Sequence, residues 1–177
     1  MDLPGVGRLT REDRFGWSVS PEVTVPALRG TTGRFVVDDA LVEGDEVLAS
    51  AVEATSAFLT LGPEALLAAS PHVFDYYLDT VAEHELLGWP KPGPRMEAPD
   101  TVWDAVTFGS DFQIERDVST GLVYVSVECE CTWEPEHGLQ LVFREGRAIT
   151  KVGPYDGALV SGDGRLPDTV YERFHGS

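Results

Sequence analysis

Hydrophobic side chains change their spacing twice along this chain, and the changes divide it into three stretches. Up to residue 40, β-branched and aromatic pieces are cut by Gly and Pro: Phe15-Gly16-Trp17, Glu22–Pro26 and Gly33–Val37, with Gly30-Thr31-Thr32-Gly33 as a turn. That pattern predicts a small meander of short strands. From residue 45 the period becomes helical, with Val47, Leu48, Ala51, Ala54, Phe58 and Leu61 on one side. Asp45 and Glu46 fall in the first turn, where the helix dipole favours acids, and Gly62-Pro63 ends the run. A short helix over Pro63–Ala69 is expected next. Ser70 then caps a further helix over 71–86, with Pro71 at its first position. In that helix Phe74, Tyr77, Leu78 and Val81 form an apolar stripe, while Asp75, Asp79 and Glu83 stack on the opposite side.

The segment Leu87-Gly88-Trp89-Pro90-Lys91-Pro92-Gly93-Pro94 cannot be regular structure, and it separates the helical stretch from a strand-rich one. Strands are expected over Thr101–Phe108, Phe112–Asp117, Leu122–Trp133, Leu139–Arg144 and Ala148–Val152, with Glu145-Gly146 as a hairpin tip. The third of these alternates throughout. Val123, Val125, Val127, Cys129, Cys131 and Trp133 share one face, and Tyr124, Ser126, Glu128, Glu130 and Thr132 share the other. The expected architecture is therefore a single α+β domain. A twisted antiparallel sheet, mainly from the C-terminal half, packs on two or three helices from residues 45–86, and the N-terminal strands join that sheet or cover its edge.

Composition adds limits. At 177 residues and 42% hydrophobic, the chain is long enough for one substantial core and too apolar for wholesale disorder. No apolar run is long enough to span a bilayer, and the N-terminus lacks the pattern of a secretory signal, so a cytoplasmic location is expected. The two cysteines, Cys129 and Cys131, lie on the same side of one strand and are expected to be free thiols.

Charge changes the picture most. Thirteen basic side chains face thirty acidic ones, a net charge of −17. From Phe35 to Pro90 there is no Lys or Arg, yet there are eleven acids, among them Asp38, Asp39, Asp45, Glu46, Asp75, Asp79 and Glu83. A span of this kind repels nucleic-acid phosphates and anionic membranes and attracts basic proteins. The expected partner is a basic protein, with those seven acids as its contacts. For Asp75, Asp79 and Glu83, an ordinary solvated helix face is the plainer reading.

Motifs for chemistry are sparse. Cys129, Cys131 and His137 could suggest a metal site, but the spacing to His72, His84 and His175 fits no zinc pattern, and the thiols read as core. Glu128 and Glu130, with His137 nearby, carry the alternative of a hydrolase or metal-binding enzyme. A structural or oligomer-forming protein without a ligand is the third reading. Asp38-Asp39 and Glu43–Glu46 are acidic without the ligand spacing of a calcium loop. No nucleophile elbow, Walker loop, dinucleotide fingerprint or His-Glu-x-x-His occurs, so no cofactor is expected.

The run Cys131-Thr132-Trp133-Glu134-Pro135-Glu136-His137-Gly138-Leu139-Gln140-Leu141-Val142-Phe143 resembles a C-terminal signature of a family of uncharacterised bacterial proteins, Cys-x-Trp-acid-x-Glu-His-Gly-Leu-x-Leu-Val-Phe. Phe15-Gly16-Trp17 and Asp75-Tyr76-Tyr77 fit the resemblance more loosely. It implies a bacterial, cytoplasmic α+β protein of unknown activity. By analogy with other small acidic bacterial proteins, it suggests an immunity protein that occupies a toxin's basic active site.

Overall fold

The computed structural model describes residues 2–12, 16–38, 41, 45–161 and 170–171, with backbone alone for 45–47. Among them the chain forms a small hairpin, β1 (Asp2–Leu3) and β2 (Gly7–Arg8), then β3 (Thr10–Glu12), β4 (Trp17–Val19), β5 (Val23–Val25) and β6 (Thr31–Asp38). Two helices follow, α1 (Asp45–Thr60) and α2 (Glu64–Leu87). A 3₁₀ helix over Pro99–Ala105 leads into β7 (Val106–Arg116), β8 (Val123–Cys131), β9 (Leu139–Arg144) and β10 (Ala148–Gly153).

β3 to β10 build one eight-stranded sheet in the order β10-β9-β8-β7-β6-β4-β3, with β5 pairing the first half of β6. The N-terminal strands thus join the C-terminal ones in one α+β layer pair. One feature departs from the expected antiparallel sheet: β6 and β7 are parallel, Arg34 beside Asp111 and Val37 beside Ile114. The cause is topological. The chain leaves the sheet after β6, crosses both helices on one face, and re-enters in its original direction.

Helix α1 follows its sequence pattern. Ala51, Ala54, Thr55 and Phe58 are buried, and the Thr55 hydroxyl spends its hydrogen on the Ala51 carbonyl (2.8 Å). The expected break at Ser70-Pro71 does not occur; α2 runs straight through Pro71. Ser70 is not a cap but a buried helical residue, donating to Leu66 O (2.9 Å) and accepting the Trp103 indole N–H (2.8 Å). Packing there outweighs the local preference of proline. Residues Thr101–Ala105, read as strand, are instead 3₁₀ helix. Thr101 turns back on Ala98 O through both its amide (3.1 Å) and its hydroxyl (2.7 Å), and Pro99 pre-sets the first turn.

The core lies between the helices and one face of the sheet and takes side chains from Leu3 through Val152. Its centre is four phenylalanines from four elements, Phe35, Phe58, Phe112 and Phe143, with ring centroids 4.9–6.0 Å apart. At the other end Trp133 stands edge-on to Tyr76 and Tyr77, at 6.1 Å from each. The expected hairpin tip is present: Glu145 and Gly146 both have positive φ (51° and 67°), as a type I′ turn requires, and Arg147 N–H closes on Arg144 O (2.9 Å).

Candidate functional site

Because both helices pack on one side of the sheet, strand alternation sends the other half of its side chains to the opposite face. Phe35, Val37, Phe112, Ile114, Val125 and Val127 enter the core. Their neighbours Arg34, Val36, Asp38, Asp111, Gln113, Glu115, Ser126 and Glu128 therefore point away from the helices.

Part of this outer face is roofed. Leu159 packs on Tyr124 and Val142, so the first half of the polar side of β8, Tyr124 and Ser126, is buried. Lys151 fastens the roof. Its buried ammonium donates to Gln140 Oε1 (2.7 Å), to Ala158 O (3.0 Å) and to the Asp156 carboxylate, and Gln140 in turn donates to Ser126 Oγ (3.0 Å). All three ammonium hydrogens are engaged, so this lysine is a clasp.

The remainder is open and acidic. β7 bulges between Phe108 and Phe112, and the bulge opens a concavity of about 410 Å³ lined by Thr107, Ser110, Asp111, Gln113, Glu128 and Glu130. Gly33 on β6 makes room for it, since a Cβ there would overlap Ser110 O and come within 2.6 Å of the Phe112 ring. Glu128 and Glu130 are both exposed. The cation on this stretch, Arg34, is already bound to Asp111 (2.9 Å) and Glu12 (3.1 Å).

Beyond Arg34, the parallel register sets Asp38 next to Glu115 on the same face. Burial, and then the charge of Asp38, push the Glu115 carboxyl above its usual range. Protonated Glu115 is thus favoured by folding. The stability this group contributes is full below the ordinary glutamate value, roughly 4.3, and is lost as pH rises through the higher folded-state value. Glu115→Gln is expected to raise the melting temperature at pH 7 and to leave it nearly unchanged at pH 4. Thermal melts of both proteins across that range check it; a lower melting temperature at pH 7 would contradict the penalty that burial, and then Asp38, place on the charged form.

The described side chains among the seven acids singled out from the sequence do not share one surface. Asp38 lies on the outer sheet face, while Asp75 and Glu83 sit on α2, in the other layer. Asp79 corrects the helical-wheel reading: it is 2% exposed, and the Tyr171 hydroxyl donates to its Oδ2 (3.1 Å). Tyr171, which packs on Tyr76 (5.8 Å) beside the core, covers Asp79, a contact that no periodicity within the helix records. Leu78 turns outward, and the buried stripe of α2 is Leu66, Ala69, Ser70, Val73, Tyr76, Tyr77 and Thr80. Asp39 and the side chains of Asp45 and Glu46 lie outside the described residues.

For the alternative site, Glu128 and Glu130 share the open face, whereas His137 sits in the turn after β8. Its Nδ1 is 3.5 Å from Glu134 Oε1, which also accepts the amides of Glu136 (3.1 Å) and His137 (3.3 Å). His137 thus belongs to a turn capped by Glu134. Cys129 and Cys131 are buried free thiols, and burial pushes Cys131 up to about 12 and Cys129 higher still. Among the described residues, no three of His, Cys, Asp or Glu are grouped to hold a metal ion.

The sequence reading missed Asp111, Glu115 and Arg34 as parts of one face. The signal for them is strand parity, which becomes usable only once β6 is known to lie beside β7. Among the described residues no helix is long and apolar enough to cross a membrane. Chemically, such a face suits cationic side chains: exposed pairs contribute about 0.2–1 kcal/mol each, so recognition would need several together.

No curated protein and no solved structure shows significant similarity to the chain. Residues 5–159 match a family model described as Domain of unknown function (DUF6985), and the chain belongs to that family.

Proposed function

We propose that this protein is a binding protein that masks a basic protein partner, and that the open outer face of its sheet makes the contact. The observation that carries this reading is the acidic lining of the concavity at the bulge: Glu128 and Glu130 are exposed there, while Arg34 is bound to Asp111 and Glu12. Opposed charges of this kind accelerate encounter and select partners by sign. A toxin with a cationic active site is the partner class for which masking would amount to immunity.

The probe is an octa-arginine peptide, titrated into isotopically labelled protein and followed by amide shifts. The expected shifts fall on Gln113, Glu128 and Glu130 at low salt and fade at high salt. Glu128→Lys with Glu130→Lys should weaken binding about tenfold, or about 1.4 kcal/mol, whereas Asp75→Lys with Glu83→Lys should not. Shifts centred on α2, or binding indifferent to the sheet-face pair, would move the interface or remove it.

A further inference from the structure

On one side of α2 the half-buried Phe74 and Val81 flank the exposed Leu78. Phe74, Leu78 and Val81, with Tyr77 beneath them, form one wall of a cleft of about 530 Å³, and Lys91, Pro92, Gly93, Arg95, Met96 and Glu97 form the other. This volume is in the range of small-molecule sites, roughly 300–1,000 Å³. We propose that this cleft binds a small amphipathic anion, a carboxylate carried on an apolar body.

Three observations carry it. First, the second wall is fixed. The Met96 amide donates to the Tyr77 hydroxyl oxygen (3.2 Å), Pro92 and Met96 are buried, and Gly93 lies so close to strand β8's exit that a Cβ would come within 2.7 Å of Thr132 O. The cleft is therefore preformed, which spares a ligand the cost of ordering it.

Second, its charge runs against that of the molecule. Two cations, Lys91 and Arg95, and one carboxylate, Glu97, line a cleft in a chain of net charge −17. Lys91 is paired with Glu85 (3.3 Å), but no group among the described residues bonds the Arg95 guanidinium. An arginine without a carboxylate, in so acidic a protein, is available to one that arrives from solution. Its planar fork of donors matches that group.

Third, the Tyr77 hydroxyl accepts from Met96 but has no acceptor for its own hydrogen among the described residues. It supplies a second donor to an anion, while Phe74, Leu78, Val81 and Pro92 cover the apolar part.

Calorimetric titration with decanoate, decanol and decylammonium tests this directly. Decanoate is expected to bind with a sub-millimolar Kd, decanol at least fivefold more weakly, and decylammonium not at all. Arg95→Gln, at an exposed position, should weaken decanoate about tenfold and leave decanol unchanged. Leu78→Glu, also exposed, should abolish binding of both while circular dichroism stays native. Absence of decanoate binding, equal binding of decanol, or full retention in Arg95→Gln would overturn the proposal.

Discussion

Gly146→Ala is expected to destabilise the protein by about 4 kcal/mol, a large effect for one methyl group. Two costs add. Alanine at φ 67° enters the left-handed region, at roughly 1–2 kcal/mol. Its Cβ would also overlap the Ala54 carbonyl oxygen and come within 2.8 Å of that carbonyl carbon and 3.0 Å of Phe58 N. These are backbone atoms of α1, which no rotamer change can move aside, so overpacking of about 1–3 kcal/mol follows. For a chain of this size the melting temperature should fall by about 8–16 °C. Gly121→Ala is the control: it has a similar φ of 72°, but its nearest neighbour is the flexible end of Arg116 at 3.8 Å. It should lose only the conformational part. Equal losses at the two positions would show that the hairpin does not press on α1.

Phe58→Ala is expected to cost about 4 kcal/mol, within the usual range of roughly 3–5 for a buried phenylalanine. Phe58 is fully buried and touches the other three rings of the central cluster, at 4.9 Å from Phe143, 5.8 Å from Phe112 and 6.0 Å from Phe35. Two of those contacts are edge-on, a geometry that adds about 0.5–1.5 kcal/mol beyond area. Phe58→Leu keeps most of the volume and should lose under half as much. Urea unfolding gives both values; a loss below about 2 kcal/mol for the alanine variant would mean the cluster collapses around the void. Because Gly146 and Phe58 meet through the same turn of α1, their double variant should fall short of additivity.

What could be read from the chain follows from how local each signal is. Helix α1 and strand β8 carry their own periods, so their buried faces were legible: Ala51, Ala54 and Phe58 in one, Val123 to Cys131 in the other. The hairpin tip was legible because Glu145-Gly146 holds its turn preference in two residues. Ser70-Pro71 misled because its local preference is overridden by a hydrogen bond from Trp103, thirty-three positions away. The parallel pairing of β6 and β7 has no local signature, and the outer acidic face depends on it. Of the seven acids picked by charge alone, Asp38 lies on that face, Asp75 and Glu83 lie on the helical layer, and Asp79 is buried. Net charge counts carboxylates without regard to direction. Only register says which way each one points.

The parallel pair also sets a timetable for the nascent chain. Arg34 meets Asp111 across 77 positions, and ribosomes add about 5–20 residues per second, so the wait between the two is about 4–15 s. Throughout it β6 lacks Phe112 and Ile114 beside Phe35 and Val37 and offers one bare hydrogen-bonding edge, which makes that interval the time when a chaperone would be needed most. A circular permutant that translates β7 before β6 would put 177 − 77 = 100 positions and a linker between the two residues, and so would lengthen it.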